Sequence, residues 1–273
     1  MADEAAAPAS NDAFRRFFAI SPRYGFSQKL GQSIADEIAE RIFDSRMKPG
    51  DPLPTESVMI ERFGVSRATL REALRLLETQ GIIQMRTGRG RGPVVSSPSA
   101  ESLARTLSVS FRAIGLTFEE VLITRNTIEP ALAREAALRR TDADLEVVLE
   151  LMEQMEAAPS DAVVYSQLNS QFHNALAMAS NNRPLAVLWS AISNIADGQG
   201  IGAEWNADIR RETNRAHRRI FEAIAAGDSA AAERAMSRHV HAFHEEVAQN
   251  HPEMLRSPVK LFRQTRLVPD ISV

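Results

Sequence analysis

The sequence predicts a mainly α-helical chain in two parts: a small unit of three helices and a β-hairpin, then an antiparallel all-helical bundle of about seven helices. Aromatic residues make up only 6% of the 273 residues, and runs of β-branched residues are few, which favours helix over strand. Helix start and stop signals recur along the chain. A hairpin pattern stands out only after Gly81.

The charge of the chain is unevenly divided. A formal net charge of −3 by itself argues against a nucleic-acid binder. Residues 62–91 nevertheless hold seven arginines against two glutamates, a local charge of +5, whereas residues 102–249 hold 14 basic and 20 acidic residues, a local charge of −6. This division indicates a DNA-binding module attached to a domain with another role.

Cysteine content and hydropathy limit the classes further. Cysteine is absent, which excludes a disulfide scaffold, a Cys-ligated zinc finger and a thiol nucleophile. Neither a signal peptide nor a membrane-spanning segment is recognisable, so we expect a cytoplasmic protein without membrane contact. Residues 1–27 are expected to be disordered or arm-like. Such an arm would either pack on its own domain or enter a DNA minor groove.

The first domain is expected over residues 28–97. A first helix from Gln28 to about Met47 carries an apolar stripe and ends before Pro49-Gly50. Thr55 is the predicted N-cap of a second helix, which runs to about Phe63.

A third helix and a hairpin complete this domain. Gly64-Val65 form a tight turn, Ser66 caps a helix over residues 67–80, and Gly81 ends that helix. The hairpin that follows has a glycine-rich basic tip at residues 87–92. This order of elements is that of a winged helix-turn-helix.

The third helix has the chemistry of a recognition helix. At 100° per residue, one face collects Leu70, Ala73, Leu74 and Leu77, and an adjacent stripe collects Arg67, Arg71 and Arg75. The apolar face would anchor the helix, while the guanidinium groups could clamp phosphates or read guanine edges. A solvated basic face is the alternative.

The motifs of this domain resemble the winged helix of the GntR family. They are Leu53-Pro54-Thr55-Glu56, the run from Phe63 to Leu74, and Gly81-Ile82-Ile83. The resemblance implies DNA contacts from Ser66, Arg67, Thr69 and Arg71 and from the wing turn at Thr87 and Gly88. Ala68, Arg75 and Arg89 complete the predicted DNA-binding surface. Many relatives have Arg where this chain has Ser57, so their half-site sequence does not transfer.

The second domain is expected over residues 98–249, followed by an extended tail over residues 250–273. Start signals are Thr117, Thr141-Asp142 and Asp228, and stop signals are Gly115, Asn181-Asn182 and Gly227. The predicted helices span residues 99–114, 117–139, 142–157, 161–179, 184–204, 207–226 and 229–249.

Four polar side chains of this domain lie on apolar stripes: Asn169, His173, His217 and His239. Buried polar groups need partners. Hydrogen bonds to serine or backbone would satisfy any one of them, but a metal ion is the more economical partner for all four, and i,i+4 spacing places Asn169 beside His173. His241, His244 and His251 lie outside the pattern and are expected at the surface.

This domain also resembles the FCD ligand-binding domain of FadR-like GntR regulators. The matching motifs are Arg125 to Glu129, Asn169 to His173, and His217 with His239. The resemblance implies a divalent ion, zinc or nickel, held by an Asp and three His at these positions. Here Asn169 replaces the Asp, and an amide oxygen is a weaker ligand than a carboxylate.

Arg125 lies on the inward stripe of its predicted helix, where Glu129 at i+4 is the simplest partner. In relatives the matching Arg faces the ligand cavity, which implies an effector carboxylate held by its guanidinium. Three neutral imidazoles and an amide would leave the metal centre positively charged, which favours an anion.

These inferences together predict a bacterial transcription regulator, a homodimeric repressor on a pseudo-palindromic operator, controlled by a small organic or sugar acid. A metal-responsive regulator with the ion as effector is one alternative. A His-metal enzyme fused to a DNA-binding module is another. The sequence contains no Glu-x-x-His pair of the di-iron type, and the helix around His244 lacks the second histidine of a zincin motif, so neither motif supports that enzyme.

Overall fold

The computed structural model describes residues 30–86, 92–97, 99–157, 162–197 and 207–262. The chain divides into two compact units between Ser102 and Leu103, a few residues after the expected boundary. The expected N-terminal arm lies outside the described residues. Within those residues, no helix is long and apolar enough to cross a membrane.

In its described residues, the first unit contains three helices and one small antiparallel sheet. They are α1 (Leu30–Asp44), α2 (Glu56–Phe63), α3 (Arg67–Thr79), β1 (Ile83–Gln84) and β2 (Val94–Val95). Ile83 pairs with Val95 and Gln84 with Val94. This is the predicted order of elements, although α1 ends before Met47, because Arg46 takes a left-handed conformation with φ +52°.

Local signals fix the ends of α2 and α3. The Ser66 hydroxyl accepts a hydrogen bond from the Thr69 N–H at 3.1 Å, and Gly64 and Gly81 adopt the positive φ angles expected at helix ends. Thr55 occupies the N-cap position of α2, but its hydroxyl contacts the Ser57 hydroxyl at 3.1 Å and does not cap the backbone.

The apolar face of α3 forms the core of the first unit. Its four predicted residues are at most 1% exposed and pack against the isoleucines of α1. The opposite side of α3 is therefore left to solvent, which positions the arginine stripe. The residues of the core contact are Leu70, Ala73, Leu74 and Leu77 from α3, and Ile34, Ile38 and Ile42 from α1.

The second unit is all-helical in its described residues. Its helices are α4 (Ala100–Ala113), α5 (Phe118–Arg139), α6 (Asp142–Ala157), α7 (Ala162–Ala179), α8 (Arg183–Asp197), α9 (Ala207–Ala225), α10 (Ser229–Asn250) and α11 (Pro252–Leu255). Thr117 forms a reciprocal capping box with Glu120, and the Asp228 carboxylate accepts from the Ala231 N–H at 2.9 Å. The predicted bounds of α5 to α7 agree within a residue, because such caps are local.

Helix α5 lies at the centre of this unit. It packs along α10 and also contacts α7, α8 and α9. One apolar cluster joins α5 with α6, α7, α9 and α10, and a second joins α4, α5 and α8. Residues near the middle of α5 consequently face several helices at once, and this is where the buried polar groups meet.

The expectation of an extended tail from residue 250 is wrong as far as Phe262. Helix α11 follows at once, and Leu255 and Val259 are buried in the second apolar cluster. The Val259 N–H donates to the Leu116 carbonyl at 2.9 Å, and the Phe262 N–H donates to the Ser108 hydroxyl at 3.0 Å. Isolated apolar residues between prolines give no periodic signal, which is why the sequence did not predict this packing.

Candidate functional site

The predicted recognition surface on α3 faces solvent. The side chains of Arg67 and Arg71 are 70% and 61% exposed, and Arg75 and Ala68 are also exposed. Because the apolar face of the helix is fixed in the core, these guanidinium groups project away from the unit. Exposed arginines on a rigid helix are suited to contacts with a DNA groove.

Ser66 and Thr69 are engaged with each other at the start of α3. Their hydroxyls lie 2.9 Å apart, and the Ser66 hydroxyl also caps the Thr69 N–H. Both side chains therefore stabilise the first turn, and the hydroxyl that accepts in this contact keeps its proton for donation to a phosphate.

An acidic group also faces this surface. The Glu56 carboxylate at the start of α2 lies 3.9 Å from Arg67 Nη1 and 4.0 Å from Arg71 Nε. Glu56 is part of the motif Leu53-Pro54-Thr55-Glu56, but no contact between it and the arginines was predicted. Glu56 and the two arginines lie on different helices and are not related by a helical spacing. Their proximity therefore depends on how α2 packs against α3.

The predicted wing residues Thr87, Gly88 and Arg89 lie outside the described residues. The base of the wing is described: β2 pairs with β1, and the Leu53 N–H donates to the Pro93 carbonyl at 2.9 Å. A Cβ added to Gly92 would lie 3.1 Å from the Leu53 carbonyl oxygen, so glycine permits this close approach.

The second unit brings three of the predicted metal ligands together. His173 comes from α7, His217 from α9 and His239 from α10, and their ligand atoms all lie within 4.8 Å of one another. The Nε2 atoms of His217 and His239 are 3.2 Å apart, and those of His239 and His173 are 3.3 Å apart. Three helices therefore direct Nε2 atoms at a common point.

The spacing of these nitrogens fits a bound ion. Imidazole nitrogens about 2.0–2.1 Å from a tetrahedral metal lie roughly 3.3 Å from one another. The Oδ1 atom of Asn169, one turn before His173, is buried without a hydrogen-bond partner among the described residues. The three converging imidazoles, and an unpaired amide oxygen one helical turn before one of them, are donors of the kind that divalent zinc or nickel accepts.

The protonation states of His217 and His239 also suit metal binding. Burial, reinforced by neighbouring His239, His173 and Arg125, holds the pKa of His217 well below its usual range. Burial, His173 and Arg125 likewise lower the pKa of His239. Both rings are therefore neutral near pH 7 and keep the lone pair that a metal ligand needs.

Glu129 connects the histidine cluster to Arg125. Its side chain is 2% exposed, and its two oxygens contact His173 Nδ1 and Arg125 Nε. Burial would raise the pKa of this carboxyl, but the charge of Arg125 and the hydrogen bonds from His173 and Arg125 outweigh burial and lower the pKa to about 2. A carboxylate on the far nitrogen of a ligating histidine fixes the ring and raises its basicity.

Arg125 has the local partner expected from its sequence and a second contact that was not foreseen. Its Nη2 lies 3.2 Å from His173 Nε2, and its guanidinium carbon lies 5.1 Å from the centroid of the Phe243 ring. With its side chain 13% exposed, the guanidinium forms one side of the histidine cluster.

Of the three histidines expected at the surface, His241 is exposed. His244 is intermediate in exposure, and its Nδ1 lies 3.0 Å from the Asn126 side-chain nitrogen. His251 is intermediate and stands at the junction of α10 and α11. The contact between His244 and Asn126 joins α10 to α5, and no spacing in the sequence predicts it.

The chain matches two protein families. Residues 30–92 match the family described as bacterial regulatory proteins, gntR family, and residues 120–242 match the FCD domain. The solved structure of Streptococcus agalactiae GntR is similar with a TM-score of 0.63 at 26% identity, over 79% of this chain and 99% of that one.

Two relatives in sequence are also regulators. The HTH-type transcriptional regulator LutR of Bacillus subtilis (strain 168) is 30% identical over 204 residues, which cover 73% of this chain and 92% of the relative. The galactonate operon transcriptional repressor of Escherichia coli (strain K12) is 30% identical over 211 residues, which cover 74% and 90%. These matches are to regulators rather than enzymes, which removes the support for the enzyme alternative.

Proposed function

The chain belongs to the GntR family of bacterial regulators that carry an FCD domain, and we propose that it is a repressor whose operator affinity is set by a small carboxylate and a divalent metal ion. It is a DNA-binding transcriptional regulator. The repression, the effector and the metal are the parts that we propose.

For the DNA, we propose a homodimer that places two α3 helices on a pseudo-palindromic operator. Arg67 and Arg71 would read base edges. The remaining residues of the surface would contact the DNA phosphate backbone or lie beside it: Ser66, Ala68, Thr69, Arg75 and the wing residues Thr87, Gly88 and Arg89. The exposure of the α3 arginines supports this assignment.

For the metal, we propose ligation by Nε2 of His173, His217 and His239 and by Oδ1 of Asn169. The spacing of the imidazole nitrogens and the unpartnered amide oxygen support this donor set. When bound, the ion would supply a Lewis-acidic position for an oxygen of the effector. Since all four ligands are neutral, the centre would keep its positive charge and favour an anion.

For the effector, we propose an organic or sugar acid whose carboxylate is held by Arg125. The position of this guanidinium beside the histidine cluster carries the proposal. The name of the galactonate operon repressor points to the same class of acid and to repression. Acid binding would alter operator affinity through different affinities for two arrangements of the protein.

An electrophoretic mobility shift with DNA from the protein's own promoter region tests this function. We expect sequence-specific, salt-sensitive binding that galactonate or another hydroxy acid weakens only when zinc or nickel is present. A scrambled DNA fragment controls for sequence specificity. The variant His217→Ala removes a proposed metal ligand, and His241→Ala, at an exposed histidine, is its matched control. The absence of sequence-specific binding would contradict the proposal.

Control by the metal alone is a second candidate. The donor set of three imidazoles and one amide already has the four ligands of a closed zinc site, which would leave no position for an acid. In this alternative, chelation abolishes operator binding and no acid changes it. The same mobility-shift experiment, with chelator and acid varied independently, distinguishes the two.

A further inference from the structure

The His173 ring is held at both of its nitrogens. Nδ1 contacts a carboxylate oxygen of Glu129, and Nε2 lies 3.2 Å from Arg125 Nη2. A carboxylate oxygen can only accept, so Nδ1 carries the proton and donates it to Glu129. Nε2 then has a single lone pair, and the Arg125 N–H is directed at it.

A metal ion needs the same lone pair. His173 Nε2 lies 3.3 Å from His239 Nε2 in the three-histidine cluster, so it is the atom that would complete the ligand set. One lone pair cannot accept a hydrogen bond and ligate a metal at once. The guanidinium and a divalent ion would also repel each other across this short distance.

Arg125 can lose this contact and still stay in place. Its Nε remains paired with Glu129, and its guanidinium remains over the Phe243 ring at 5.1 Å. Because the guanidinium is planar and rigid, a rotation of the whole group about its Nε–H bond would keep the Nε contact and move Nη2 away from His173. Glu129 therefore anchors the His173 ring on one oxygen and the Arg125 guanidinium on the other.

We propose that Arg125 and the metal ion compete for Nε2 of His173, with Glu129 as the positioning residue that confines the exchange to one N–H group. The inference rests on the proposed metal centre and deepens it. Metal binding releases Arg125 Nη2, which becomes available to an anionic effector. Metal must then bind first, and the acid binds the metal-loaded form.

The test is a Zn²⁺ titration of the full-length protein against a chromophoric chelator, without DNA or acid. Arg125→Met removes the competing N–H and should tighten Zn²⁺ binding about tenfold, the worth of one hydrogen bond to a charged group. Glu129→Gln removes the charge that orients His173 and should weaken binding about tenfold. Opposite signs from two partners in one ion pair are not expected of a merely structural role.

Two further variants keep the result interpretable. Arg125→Lys retains the pairing with Glu129 but lacks the guanidinium fork, so it should bind Zn²⁺ a few-fold tighter even if Arg125→Met does not fold. Arg134→Met, on the exposed side of α5, is the matched control and should leave the affinity unchanged.

Equal or weaker Zn²⁺ binding by both folded Arg125 variants would overturn the competition. Absence of Zn²⁺ binding in every variant would overturn it as well, whereas binding by Arg125→Met but not by the unmodified chain would support it. Operator binding and acid response are measured separately by mobility shift. A failure of the proposed regulation is therefore distinguishable from a failure of this exchange.

Discussion

Two carboxylates in this chain each face two basic side chains, but in opposite surroundings. Glu56 lies 3.9–4.0 Å from Arg67 and Arg71 on the recognition surface, and its side chain is 25% exposed. Glu129 is 2% exposed and contacts Arg125 and His173 inside the second unit. The same arrangement of charges is therefore partly exposed and widely spaced around Glu56, but buried and closely spaced around Glu129.

The difference separates the tasks of the two units. Ion pairs at an exposed surface are screened and weak, so the arginines beside Glu56 can exchange this partner for a phosphate or a base at little cost. A buried carboxylate that loses a partner is left uncompensated, so Arg125 Nε and His173 Nδ1 stay paired with Glu129. The recognition surface can thus exchange its ion-pair partners, while these two pairings in the second unit are fixed.

Arg67→Ala gives the largest expected effect. If each half-site loses one bidentate base contact of about 2 kcal/mol, a dimer loses about 4 kcal/mol, or roughly a thousandfold in specific affinity. Fluorescence anisotropy with the operator measures this loss. Because the Arg67 side chain is 70% exposed, the unfolding transition should not move.

Arg211→Ala, at an exposed arginine of α9 in the second unit, is the matched control and should bind the operator normally. If Arg67→Ala retained specific binding, the recognition role given to this residue would be wrong. The exposed arginines of α3 would then not be the surface that reads the operator.

Glu129→Ala tests the buried region and should destabilise the protein by about 3 kcal/mol. The reason is that Arg125 and the His173 N–H lose their common acceptor in a buried place. Urea unfolding followed by circular dichroism measures the change. Glu56→Ala is the matched exposed carboxylate and should change stability by less than about 0.5 kcal/mol. Equal effects from the two variants would remove the distinction between the regions.

His217→Ala should lower the affinity for zinc or nickel by roughly a hundredfold, since losing a direct ligand costs at least as much as losing a strong outer-shell partner. Elemental analysis after gel filtration gives the metal content. His241→Ala, at an exposed histidine on α10, should leave it unchanged. Unchanged metal content in His217→Ala would refute the proposed ligand set.

The sequence predicted most of the fold because its determinants are local. Ser66, Thr117 and Asp228 cap helices within three residues, and Gly64 takes the left-handed conformation that the turn needs. The three histidines that converge were predicted for a different reason. Polar side chains on apolar stripes must meet other polar groups, and three such stripes face one core.

What the sequence did not predict depends on contacts between helices. Glu129 and His173 are 44 residues apart on α5 and α7, and no spacing rule joins them. The burial of Val259 is equally non-local, because its partner is the Leu116 carbonyl at the turn before α5. Such contacts follow from packing of whole helices, which periodicity alone does not specify.

Glu56→Gln should have the smallest effect and the most direct bearing on the comparison. Removing this charge increases the local attraction of Arg67 and Arg71 for phosphate, so affinity for non-specific DNA should rise about threefold at low salt, and the rise should vanish as salt screens it. Specific affinity should rise by a similar factor, because binding to the operator also requires these arginines to leave Glu56. Anisotropy titrations on operator and random DNA at several salt concentrations measure both affinities. A larger gain on the operator than on random DNA would mean that Glu56 restrains base reading itself, and that its ion pairs with Arg67 and Arg71 are stronger than expected at this surface.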